Sequence, residues 1–222
     1  MISVENVSFA YGTGDFRLNV PRLSMQSGER LAIVGPSGSG KTTLLNLVAG
    51  ILSPDSGRIV VAGKDVTALT DTERRQFRAS HIGFVFQDFA LLDYLPALQN
   101  ILYPYRVTPA LKLDQAVRER VEVLAEACGI RDKLDRHPNE LSQGEQQRVA
   151  ICRALVTQPK LILSDEATGN LDPESKGRIL DLLFEQASEA GATLLAVTHD
   201  HELLPRFERV IDFADYREVA DA

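Results

Sequence analysis

Along the chain, apolar and polar positions change period several times, and each change predicts an element. Ile2, Val4, Val7 and Phe9 roughly alternate with polar neighbours, and Phe16, Leu18 and Val20 do so again. Two alternating runs predict an antiparallel strand pair joined by a turn at Tyr11-Gly12. Leu31 to Val34 is wholly apolar, as in a strand buried on both faces, and Thr43 to Ala49 is an amphipathic run that Gly50 is placed to end. Ser53 to Gly57 is a turn, after which Arg58 to Val61 returns as a strand. Thr70 and Glu73 have the spacing of a capping box and begin a short charged helix; His81 to Phe86 is an apolar strand ending at Gln87. Leu113 to Cys128 carries Val117, Val121, Leu124 and Cys128 at helical spacing before Gly129. Ser142 and Glu145 start another helix with a capping box, running through Val149, Cys152 and Leu155 until Pro159. Leu161 to Ser164 is a buried strand, Asp172-Pro173-Glu174 starts a helix that runs to Gly191, and Thr193 to Val197 is a further apolar strand.

Strands alternating with helices predict an α/β fold with a mainly parallel core sheet, preceded by an N-terminal antiparallel part. A chain of 222 residues fits one such domain. Its net charge of -7 gives no basic surface for a nucleic-acid backbone. No run approaches the roughly 18 apolar residues of a membrane span; Leu44 to Leu52 is short and interrupted by Asn46. Glu5 and Asn6 break any apolar start, so no signal peptide is expected. Cys128 and Cys152, far apart in sequence and both in helical stretches, read as reduced packing residues.

The most specific chemistry lies in Gly35-Pro36-Ser37-Gly38-Ser39-Gly40-Lys41-Thr42, set between an apolar strand and a helix. Its glycines let backbone N–H groups turn inward around an anion, the helix start adds its positive dipole end, Lys41 brings a full charge to the outer phosphates, and Thr42 offers a hydroxyl to Mg2+. The strand Leu161 to Ser164 delivers Asp165 and Glu166 at its carboxyl end, where ligands sit in parallel sheets. One acid there suits the Mg2+ shell and the next suits deprotonation of an attacking water. His199 follows the last apolar strand at the same end of the sheet. Two stretches stay open on the residues alone. Tyr11 either closes the small core or stacks on a base, with spacing favouring the core. Phe89, Leu91, Leu92, Tyr94 and Leu95 are apolar for a loop, and form either a satellite core or an exposed docking site.

Taken together, these residues resemble the nucleotide-binding subunit of an ATP-binding cassette (ABC) transporter, over nearly the whole chain. The resemblance implies the phosphate-loop ABC ATPase fold in one domain, 1–222, with a helical subdomain at about 88–157. It implies that Tyr11 stacks on adenine, that Gly35 to Thr43 holds the phosphates, and that Thr42, Gln87 and Asp165 hold Mg2+. In it Glu166 is the catalytic base and His199 a switch histidine. Leu141-Ser142-Gln143-Gly144-Glu145 is similar to the family signature acting in trans, Asp172 to its dimer-contacting aspartate, and Phe89 to Leu95 to the groove receiving a coupling helix. Thr168 to Asp172 and Phe84 to Gln87 look most like the branch serving lipoprotein release, macrolide export and cell division. Gln143 and Glu145 depart from the usual signature, which bears on the partner-phosphate contact. The implied mechanism is two copies closing head to tail on two ATP and pulling on integral membrane permease subunits from the cytoplasmic face of the inner membrane. The competing class, a soluble cassette ATPase acting on DNA or ribosomes, predicts a coiled-coil insertion, fused cassettes or a basic face, none of which this sequence has. A third class, a nonhydrolysing ATP sensor, is disfavoured by Glu166 and His199.

Overall fold

The computed structural model describes residues 1–12 and 16–218. Strands β1 (Ile2–Ala10) and β2 (Arg17–Met25) pair antiparallel, and β3 (Arg30–Val34) leads into helix α1 (Lys41–Val48). Strands β4 (Ser56–Val61) and β5 (Lys64–Asp65) follow, then helix α2 (Asp71–His81) and strand β6 (Ile82–Phe86). Short helices α3 (Ala97–Ile101) and α4 (Pro104–Val107) precede the longer α5 (Gln115–Ala127) and α6 (Gln143–Leu155). The chain closes with β7 (Leu161–Asp165), α7 (Pro173–Glu189), β8 (Thr193–Val197), β9 (Arg209–Asp212) and β10 (Arg217–Glu218).

Two five-stranded sheets result. One is antiparallel, in the order β10-β2-β1-β4-β5, and the other is parallel throughout, in the order β6-β7-β8-β3-β9. The parallel sheet is covered on both faces, which is why its strands are continuously apolar. Leu31, Ile33, Leu163 and Leu195 face a core shared with the antiparallel sheet and α1, whereas Ala32, Ile162, Leu194 and Ala196 face a core built by α3, α5, α6 and α7. A fully buried leucine or isoleucine contributes about 1.5–3 kcal/mol to this packing.

Three expectations need adjustment. The alternation in β1 is only rough because Asn6 has a φ of 50° and the pairing with β4 shifts register between Glu5 and Ser8, a bulge that keeps both Val4 and Val7 buried. Helix α1 is buried nearly all round rather than amphipathic, since it lies between the two sheets. Helix α5 begins at Gln115, not Leu113, because the Asp114 carboxylate accepts the Val117 N–H at 3.0 Å and caps the helix there. The reading of Cys128 and Cys152 as reduced packing residues holds: both are buried free thiols where α5 meets α6, and the Cys152 thiol donates to the Leu124 carbonyl at 3.6 Å. Close approach decides one further position: a Cβ on Gly83 would lie 2.3 Å from the Ala154 carbonyl oxygen, so glycine alone lets α6 lie against β6.

The apolar stretch after Gln87 folds around one buried side chain. Asn100, in α3, accepts the Leu92 N–H at 2.7 Å and donates to the carbonyls of Leu92 and Leu95 at 3.1 and 2.8 Å. It thus replaces the partners that a loop's backbone lacks. Phe89 is buried while Tyr94 is 73% exposed, so the stretch is divided between core and surface.

Candidate nucleotide-binding site

The loop after β3 reaches α1 through Gly40, whose φ of 99° favours glycine and which packs closely, a Cβ there lying 3.0 Å from Phe16 Cζ and 3.1 Å from Leu18 Cδ1. Lys41 follows at the first position of α1, and its ammonium donates to the carbonyls of Gly35 and Pro36 at 2.9 and 2.8 Å. The loop is therefore folded back around the lysine, with Ser39 buried beneath it.

A cavity of about 580 Å3 opens above this loop. Gly35, Ser37, Gly38, Gly40, Lys41, Thr42 and Thr43 line its floor, Tyr11 and Phe16 one end, and Glu166 and His199 its rim. One cavity thus brings the glycine loop and its lysine together with two aromatic rings, the combination that phosphates and a base require. Tyr11 is 48% exposed, so the core reading that spacing favoured does not hold. Its ring meets Phe9 edge-on at 4.8 Å, and its hydroxyl shares a hydrogen bond of 3.2 Å with Thr43. Phe16 is the residue that the sequence reading missed as a site residue. It stands just before β2 rather than within the strand alternation, with its ring 5.6 Å from that of Tyr11; an aromatic next to a predicted turn was the available signal.

Strand β7 ends in Asp165, and Glu166 follows in a left-handed conformation, φ 48°, which a glutamate rarely adopts. Its N–H donates to the Val197 carbonyl at 3.0 Å and its own carbonyl accepts from Gly169 at 2.8 Å, so the turn is fixed on both sides. His199 Nδ1 lies 3.2 Å from Glu166 Oε2. Thr42 donates its hydroxyl to Asp165 at 3.2 Å. Burial raises the Asp165 pKa above its ordinary value and the neighbouring Glu166 adds to this, while the Thr42 hydrogen bond and Lys41 oppose it. A hydroxyl and a carboxylate so close, beside a lysine, are the hard oxygen donors that suit Mg2+; these residues fit the ion.

Other predicted residues stand apart. Gln87 does not line the cavity; its amide donates to Asn170 Oδ1 at 3.5 Å, and Asn170 donates to the Gln87 carbonyl at 2.9 Å, so it is tied to the loop after Glu166 instead. Asp172 caps α7 by accepting the Ser175 N–H at 3.0 Å. Ser142, Gln143, Gly144 and Glu145 form the start of α6 and also lie outside the cavity. There Glu145 Oε2 accepts from the Ser142 N–H and hydroxyl, both at 2.8 Å, and these bonds hold its carboxyl below the usual range.

Comparison with known proteins agrees with this geometry. The family described as ABC transporter matches residues 18–169. The lipoprotein-releasing system ATP-binding protein LolD of Geobacter metallireducens is 40% identical over 100% of this chain and 99% of its own, and YtrE, an ABC transporter ATP-binding protein of Bacillus subtilis, is 40% identical over 91% and 90%. The macrolide export ATP-binding/permease protein MacB of Rhodopirellula baltica is 42% identical over 97% of this chain, which spans 32% of that longer protein. Among solved structures, a dimeric post-hydrolysis state of the ATP-binding cassette MJ0796 bound to ADP and Pi superposes with a TM-score of 0.85 at 32% identity, covering 100% of both chains. The chain belongs to the ABC transporter family, as one of its ATP-binding, ATP-hydrolysing cassettes.

Proposed function

We propose that this chain, a single cassette over 1–222 with a helical part at about 88–157, closes with a second copy on two ATP. It drives transport or extrusion through separate integral membrane subunits, working as a peripheral protein on the cytoplasmic face of the membrane. The observation that carries the reading is the contact of 3.2 Å between His199 and Glu166 at the rim of the loop cavity. Tyr11 supports the base, and Lys41 exchanges its two loop carbonyls for the outer phosphates. Thr42 and Asp165 hold Mg2+, joined by Gln87 when it leaves Asn170; the ion, when bound, neutralises charge on the transferring phosphoryl group. Glu166 takes the proton of a water as its oxygen attacks the terminal phosphorus in line and the bond to the bridging oxygen breaks. His199 fixes the carboxylate during that transfer. The partner copy completes the site with Ser142 to Glu145, and Asp172 lies at the junction. A lipoprotein-release or export complex is the branch that the relatives support.

Lys41→Ala tests the binding half and Glu166→Gln the chemical half. The first abolishes ATP binding; the second preserves it and slows hydrolysis by roughly 10²- to 10⁴-fold, the usual worth of a positioned base. Turnover at the parental rate in Glu166→Gln removes Glu166 from this role.

A membrane subunit's helix is proposed to dock in the groove between α2, β6 and α4, of about 600 Å3, which the half-buried side chains of Phe84, Phe86 and Leu92 help to line. Under this reading the transported path lies in another polypeptide; no described helix of this chain is long and apolar enough to cross a membrane.

A further inference from the structure

The docking groove differs in charge from the molecule that carries it. The whole chain has a net charge of -7, yet the groove is lined by Arg75, Arg78 and Arg153 and by no aspartate or glutamate. Arg75 sits on the outer rim and pairs with Asp71. The other two are spent on backbone: Arg78 donates to the carbonyls of Ala49 and Gly50 at 3.3 and 3.2 Å, and Arg153 donates to those of Phe89 and Ala90. Among the described residues, neither forms an ion pair with a carboxylate. Burial pushes the Arg153 guanidinium down to about 10, with Asp88 opposing, and lowers Arg78 as well. Partly buried cations held only by carbonyls gain most from a carboxylate delivered into the same low-dielectric space.

The floor of the groove is apolar, with Ile51 46% exposed, Val107 56% exposed, and the rings of Phe84 and Phe86 stacked at 4.1 Å. Backbone laid on such a floor finds few polar partners and has to satisfy its own hydrogen bonds, which a helix does. We infer that the occupant is a short amphipathic helix of the membrane subunit whose apolar side seats on Ile51, Phe84, Phe86 and Val107 and whose polar side turns a carboxylate toward Arg78 and Arg153. The inference rests on the docking reading above and adds the chemistry of the partner: an acidic polar face, not a neutral or basic one.

Three synthetic helical peptides of about 14 residues, sharing one leucine-rich face and carrying glutamate, glutamine or lysine on the other, test it. Binding of each labelled peptide to the full chain is read by fluorescence polarisation at low and high salt. The glutamate peptide binds at least tenfold tighter than the glutamine one at low salt and the lysine peptide weakest, with the gap narrowing at high salt. Arg78→Gln removes the preference and Arg78→Lys keeps it, while Ile51→Glu weakens all three peptides. Equal binding of the three, weakened together by Ile51→Glu, overturns the acidic partner and leaves the docking groove standing. A glutamate preference insensitive to both Arg78→Gln and Ile51→Glu places the contact elsewhere and overturns the inference. Binding of none of the peptides overturns the inference and the helix-docking reading together.

Discussion

Asp165 shows how a single residue is held away from its own best state. It is partly buried at the end of β7, next to Glu166, and its pKa is raised because burial penalises the charge more than Thr42 and Lys41 favour it. A carboxyl whose folded pKa lies above its unfolded value adds stability while it is protonated, and loses that contribution as pH rises through the folded pKa. Once ionised, Asp165 therefore costs stability in the nucleotide-free protein, a cost that the Mg2+ proposed to bind there would offset. Asp165→Asn keeps an oxygen to accept from Thr42 and carries no charge. It should melt at or above the parental temperature near pH 7, with the difference closing as pH falls toward the ordinary aspartate range near 3.8, where the parent is also neutral. Thermal melts across that range, with Mg-dependent ATP turnover measured alongside, check this. A variant less stable than the parent at neutral pH contradicts the account, whereas loss of turnover is expected under it.

At the scale of elements, the parts that could be read from the sequence are those whose cause is local. The capping boxes at Thr70 and Ser142 and the cap at Asp172 are all present, because each needs only residues three positions apart. The strand-loop-helix around Lys41 and the acidic pair at the end of β7 follow from short runs as well. What was not legible depends on distant partners. Strand β9 is Arg209-Val210-Ile211-Asp212, too short and too flanked by charge to stand out, and it exists because β3 offers it a parallel edge. Gln87 has the expected position in the chain, but its partner Asn170 lies 83 residues away. Asn100 is the clearest case: a polar residue in a greasy stretch gives no sign that it satisfies a whole turn. Removing it leaves the Leu92 N–H and the carbonyls of Leu92 and Leu95 without these partners, at about 1–3 kcal/mol for a buried unsatisfied group. Asn100→Ala should therefore lower the unfolding free energy from urea titration by that order, with a lower midpoint, and raise hydrogen exchange in 88–96 before the rest of the molecule. Uniform exchange with an unchanged midpoint means that the turn holds without it.

For the whole molecule, the arrangement of the site leaves it one-sided. The cavity is lined by the loop, by Glu166 and by Tyr11 and Phe16, with His199 58% exposed beside them, and the start of α6 lies outside it. In the proposed closed pair, a second copy facing the first would bring that helix start to the outer phosphates, adding donors and a positive dipole end where one copy has solvent. Glu145 is the test of this geometry, because a carboxylate at such a helix start either repels the nucleotide or caps the helix. Its two bonds of 2.8 Å to Ser142, with Lys133 3.9 Å away, direct it back to the cap. The Glu166→Gln protein should be monomeric without ATP and dimeric with it by light scattering. Adding Glu145→Gln keeps a similar cap, so the dimer constant should stay within a few-fold and stability within about a few tenths of a kcal/mol. A carboxylate facing the phosphates behaves in the opposite way: its removal tightens the dimer, and the gain shrinks at high salt as the repulsion is screened. A salt-sensitive gain of tenfold or more, about 1.4 kcal/mol, would show that closure turns Glu145 away from Ser142 and toward the partner's nucleotide.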